Sequence, residues 1–143
     1  ASKNQYLENF VKNWEFGLIL ANGDNAGESE DNLAYRNVFV ETTFDAMQAR
    51  YSPSNSKFWN NTIVGSGGAG LHIFADTVGT EGINNIFWQN ASDIQDDTGA
   101  AKLLTNLTGQ DPKFVNSALD DYHLRPDSPA IDMGTDLSAF FPR

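Results

Sequence analysis

The chain contains no cysteine, which excludes a disulfide framework, a thiolate metal site and a cysteine nucleophile. It is poor in positive charge: 9 Lys and Arg stand against 19 Asp and Glu, a formal net charge of −10. A surface of that sign repels phosphates, so nucleic acid and anionic membrane surfaces are poor partners. No apolar run approaches the roughly 18 residues of a membrane span. The opening Ala1-Ser2-Lys3-Asn4-Gln5 has no apolar leader segment, although a mature or excised chain would begin in the same way.

What the sequence does have is turn chemistry: 12 Gly, many Asn, and enough apolar residues (40% of 143) to close one core. A short pattern centred on Asn also recurs. Tyr6-Leu7-Glu8-Asn9-Phe10-Val11 aligns with Ala34-Tyr35-Arg36-Asn37-Val38-Phe39, with Phe58-Trp59-Asn60-Asn61-Thr62-Ile63 and with Gly82-Ile83-Asn84-Asn85-Ile86-Phe87. Leu103-Leu104-Thr105-Asn106-Leu107-Thr108 is a weaker fifth copy, and the steps between the asparagines are 28, 24, 24 and 21 residues. Self-similarity at this period is the mark of a solenoid.

Strand periodicity places the residues two before each Asn (Leu7, Tyr35, Trp59, Ile83, Leu104) and two after (Val11, Phe39, Ile63, Phe87) on the same inward face. A buried Asn is costly unless its amide is paired. Stacked coils provide that pairing, each Asn bonding the Asn of the next coil. A second strand follows, with Leu18, Ala46, Leu71 and Ile94 expected in one inward column. An antiparallel sandwich would also alternate, but nothing in it calls for Asn to recur in phase on a buried face. The sequence therefore predicts an all-β, right-handed parallel β-helix of about four to five coils over residues 1–110, with a capping segment over 111–143.

The motifs resemble the parallel β-helix repeat family. Asn60-Asn61-Thr62-Ile63 and Asn84-Asn85-Ile86-Phe87 match its Asn-Asn-x-Ile turn, while Glu8 and Arg36 replace the first Asn in the earlier coils. Asp111-Pro112-Lys113-Phe114-Val115 and the run Asp121 to Gly134 resemble the terminal segment of secreted bacterial β-helix proteins. The resemblance implies an extracellular or envelope setting. It does not fix an activity, since the fold carries polysaccharide lyase-like enzymes and non-catalytic adhesins alike. The first coil begins near residue 5 without a visible cap. The chain is therefore expected to be the C-terminal coils of a longer solenoid, or to pair that edge with another chain.

For chemistry, His72 lies between two inward residues and should point outward, with Met47 and Gln95 beside it in the column and Asp45 on the diagonal. An outward His next to a carboxylate can serve as general acid or base; a solvated surface His has the same signature. Arg50, Tyr51 and Lys57 supply the types a lyase needs to neutralise a uronate and move its protons, at spacings that match no defined motif. Glu41 and Asp45 could form an acid pair. Trp88, Asp45 and Gln95 are candidate sugar-binding residues; Trp88 reads as outward and Trp14 sits near the first turn. An exposed Trp suits stacking on a sugar ring, although a core role fits these Trp residues at least as well. His123 belongs to the terminal motif and reads as structural. Asp24, Glu28, Glu30 and Asp31 form an oxygen-rich insertion able to hold Ca2+, without the regularity of an EF-hand. No cofactor is required. The expected partner is a polysaccharide or oligosaccharide, handled by a lyase-like protein or, alternatively, by a non-catalytic adhesin or spacer.

Overall fold

The computed structural model describes residues 3–21 and 30–141. Coil one holds β1 (Gln5–Leu7), β2 (Phe10–Lys12) and β3 (Leu18–Ala21); coil two holds β4 (Leu33–Tyr35), β5 (Val38–Val40) and β6 (Met47–Arg50). Coil three holds β7 (Lys57–Trp59), β8 (Thr62–Val64) and β9 (Ala69–Ile73). Coil four holds β10 (Glu81–Ile83), β11 (Ile86–Trp88) and β12 (Ser92–Asp96), and β13 (Lys102–Leu104) opens a fifth. Equivalent strands stack into three parallel sheets: β1-β4-β7-β10-β13, β2-β5-β8-β11 and β3-β6-β9-β12. Every pairing among these strands is parallel, so the chain is a β-solenoid and not an antiparallel sandwich. Among the described residues no helix is long and apolar enough to cross a membrane.

The asparagine ladder is present as expected. The Asn37 backbone N–H and its side-chain amide both donate to Asn61 Oδ1 at 3.0 Å. Asn61 does the same to Asn85 Oδ1 at 2.9 and 3.1 Å, and Asn85 to Asn106 Oδ1 at 3.0 Å. Each amide also reaches back to a carbonyl of the preceding coil, as Asn61 does to Ala34 at 3.0 Å. The buried polar group is thus saturated, which is what makes its burial tolerable.

The strand before each ladder Asn does not face as period two predicts. The residue just before the Asn is left-handed in every coil: Glu8 (φ 56°), Arg36 (57°), Asn60 (56°), Asn84 (60°) and Thr105 (51°). That residue turns the chain sharply, so the alternation cannot be carried across it. Ala34 and Phe58 consequently point into the central core with Phe39, Ile63, Phe87, Leu71 and Ile73. Tyr35, Trp59 and Ile83 lie on the other face and form a separate cluster with Leu33, Leu137 and Phe141. Leu7 and Leu104, expected inside, are exposed.

The third sheet corrects a second expectation. The strand registers align Leu18, Met47, Leu71 and Ile94, so Met47 and not Ala46 occupies the inward column. Coil two takes one more residue than the repeat spacing implied, and a one-residue slip exchanges the faces of a strand.

Residues 111–141 run along the flank of the stack. β14 (Phe114–Asn116) and β15 (Asp121–Leu124) form an antiparallel pair. Its Asp120 bonds Lys12 of the first coil at 2.9 Å. Further on, the Thr135 N–H donates to Asn84 Oδ1 at 2.7 Å, and the Asn84 amide donates to the Thr135 carbonyl at 2.7 Å. Phe141 stacks on Tyr35 at 4.3 Å and Phe140 meets Trp59 edge-on at 5.4 Å. The segment therefore acts as a strap over the first sheet's outer face.

Candidate functional site

Of the sequence-predicted residues, His72, Arg50, Tyr51, Asp45 and Gln95 gather on the outward face of the third sheet. His72 is on β9 between Leu71 and Ile73, both fully buried, so its ring faces out. In register it sits between Gln48 and Gln95; Met47, expected beside it, is in the core because of the slip in coil two. The adjoining outward positions are Arg50 on β6, then Phe74 and Asp97, each just past the end of its strand.

His72 is clamped at both nitrogens. Nδ1 lies 2.9 Å from Asp45 Oδ2, and Nε2 lies 2.8 Å from Asp97 Oδ2. Its ring stacks on Phe74 at 3.9 Å with 20° between planes. Both ring nitrogens are therefore occupied by carboxylate oxygens. One side chain of coil three is thereby tied to carboxylates of coils two and four.

Asp45 is saturated. Oδ1 accepts the Ala69 N–H at 2.7 Å, and Oδ2 accepts the Gln48 amide at 2.8 Å as well as the imidazole. Burial alone would raise its pKa, but the bonds from Gln48, Ala69 and His72 outweigh it and hold the carboxyl below its ordinary value. Asp97 is held low chiefly by its bond from His72, then by one from the Gln95 amide.

Arg50 completes the array. One terminal nitrogen donates to Gln48 Oε1 at 3.3 Å, and the guanidinium lies 4.1 Å from the Tyr51 ring centroid and 4.9 Å from that of Phe74. Cation–π contact of this kind fixes the head while leaving its edge for hydrogen bonds. A cavity of about 350 Å³ adjoins Asp97, lined also by Thr77, Thr80 and Thr98.

The structure therefore brings together His72, Asp45, Gln95, Arg50 and Tyr51. Lys57 is elsewhere: it is on β7 in the first sheet, 3.7 Å from Asp31 and 5.9 Å from the Trp59 ring centroid. Trp88 is on β11 in the second sheet. Asp45 is committed to His72, and Glu41 lies near Lys12, whose charge it favours. Of the proposed calcium residues, Asp24 and Glu28 lie outside the described residues. Glu30 forms a bridge to Ser54, and Asp31 pairs with Lys3 and Lys57. Among the described residues no three acidic or His side chains are grouped to hold a metal.

Gln48, Phe74 and Asp97 belong to the site and escaped the sequence reading. The signal for Gln48 was present, because moving coil two by one residue exchanges it for Met47 beside His72. Phe74 and Asp97 follow their strands and carry no periodic signal. No protein-family model matches the chain, and no curated protein or solved structure is significantly similar to it.

Proposed function

We propose that this β-solenoid is a carbohydrate-directed module of a secreted or envelope protein, and that the outward face of its third sheet is the binding surface. The observation that carries this reading is the array on that face. A side-chain amide (Gln95), a carboxylate (Asp97) and a guanidinium (Arg50) sit beside aromatic rings (Tyr51, Phe74) on adjacent rungs of a parallel sheet, with the buried Gln48 amide linking Arg50 to Asp45 beneath them. Rungs are about 4.8 Å apart. Sugars are amphipathic, with C–H faces for aromatic rings and hydroxyl edges for planar polar groups.

The charges favour a neutral polysaccharide over a uronate, since this face carries Asp45 and Asp97, both on His72, against the single Arg50, and the chain carries −10 overall. The lyase-like version of the reading gives Arg50 the role of charge neutraliser and His72 that of base. His72 then has to leave one of its two carboxylates first, because Asp45 and Asp97 occupy both ring nitrogens. This clamp supports the non-catalytic binding reading over the lyase-like one.

Calorimetric titration with neutral glucans, alginate, pectin and chondroitin tests both. Binding to a neutral glucan, weakened about tenfold in Arg50→Ala and with no rise in absorbance from an unsaturated product, is expected. Unsaturated product from alginate or pectin would establish the lyase-like version, and no binding to any polysaccharide would sink the carbohydrate reading.

A further inference from the structure

We propose that a second sugar-ring subsite lies on the flank of the second sheet, where the β14–β15 hairpin meets the first two coils. It rests on the carbohydrate reading above and extends it to a surface that reading does not use. Phe10, Val38, Asp120, Asp121, Tyr122 and His123 line a shallow cavity of about 410 Å³ there. That volume is within the range of small-ligand sites.

The aromatic walls are fixed before any ligand arrives. Phe10 and Val38 pair in register on β2 and β5, and both face outward because Val11 and Phe39 beside them face the core. Phe10 is 52% exposed. The Tyr122 ring stands 6.4 Å from that of Phe10, tilted by 31°, and is braced from behind by Phe114 edge-on at 5.1 Å. Lys12 anchors the hairpin to the first coil through both Asp120 oxygens, at 2.9 and 3.2 Å, and the Tyr122 hydroxyl donates to Asp120 at 3.3 Å. An aromatic wall held this way loses little freedom on binding.

The polar rim is as specific as the floor. Asp121 Oδ1 accepts the His123 backbone N–H at 3.1 Å and contacts His123 Nδ1 at 2.6 Å. The imidazole is thus pinned at one nitrogen, while Nε2 meets no partner among the described residues and the side chain is 90% exposed. His72, by contrast, is occupied at both ends. A pyranose ring fits the cavity with its C–H face on Phe10 and Tyr122 and its hydroxyls toward the Asp121 carboxylate and His123 Nε2. Asp120, Asp121 and the nearby Glu41 disfavour an anionic sugar, and Lys12 is already committed to Asp120.

Backbone amide spectra of 15N-labelled protein, recorded while cellohexaose or laminarihexaose is added, separate the two surfaces. Saturable shifts at Phe10, Val38, Tyr122 and His123 are expected. His123→Ala, an exposed change that leaves the hairpin's packing intact, should weaken them about tenfold without altering shifts at Gln48 and His72. Shifts at Gln48 and His72 with none at the hairpin would overturn this subsite and leave the carbohydrate reading standing. No shifts on either surface would overturn both. Hairpin shifts unchanged in His123→Ala and Phe10→Ala would also overturn it, since neither wall nor rim would then be contributing.

Discussion

Asn61, like Asn37 and Asn85, uses every polar atom of its side chain. Its Oδ1 receives two N–H groups of Asn37, and its amide donates to Ala34 and to Asn85. Asn61→Ala removes these bonds and leaves buried donors unpaired, at a cost of about 2 to 4 kcal/mol. Asn106→Ala, at the more exposed end of the ladder, should cost roughly half as much. Urea midpoints at constant m-value compare the two directly. Asp45 permits a prediction with a sign. Its folded pKa lies below the unfolded value, so its stabilisation is present above the ordinary carboxylate range and is lost as pH falls through the folded value. Asp45→Asn should cost about 1 to 2 kcal/mol at neutral pH. The gap to the parent protein should close on acidification below about pH 4. Melting temperatures recorded from pH 7 down to pH 2 check this, and a gap that widened in acid would contradict it.

At the scale of elements, the left-handed residue before each ladder Asn is what builds the solenoid's corner. Asn60 and Asn84 adopt it cheaply, whereas Glu8 and Arg36 carry more strain and offset it by pairing with each other at 3.2 Å. The corner exposes the outer face of the first sheet, which the C-terminal strap then covers. Leu137 is buried there against Trp59 and Ile83. Leu137→Ala should cost about 2 to 3 kcal/mol and shift Trp fluorescence to the red as water reaches Trp59. The third sheet has its own tight point at Gly70. A Cβ there would stand 2.5 Å from Phe87 Cδ1 and 2.9 Å from the Asp93 carbonyl. Gly70→Ala should therefore destabilise by about 1 to 3 kcal/mol, measured by the same urea series.

For the whole molecule, a solenoid's coils contact only their neighbours, which invites piecemeal unfolding. The strap works against that by joining distant parts: Asp120 holds Lys12 of coil one, Thr135 holds Asn84 of coil four, and Phe141 reaches Tyr35 of coil two. Far-UV circular dichroism and Trp fluorescence should report one coincident urea transition. In Leu137→Ala/Phe141→Ala the two transitions should separate, because the coils lose the element that couples them.

The parallel coils and the ladder were legible in the sequence because a buried Asn leaves a phase that recurs along the chain. The pairing of His72 with Asp45 was legible as well, since both lie within the repeat frame. Which face Trp59 and Tyr35 take, and whether Met47 or Gln48 stands beside His72, were decided only by tertiary structure. The first depends on a left-handed corner that breaks period two, and the second on one extra residue in coil two. The clamp of His72 by Asp97 and the cavity beneath His123 join residues of different coils or of the strap, and no local pattern encodes how a strap lies on a flank.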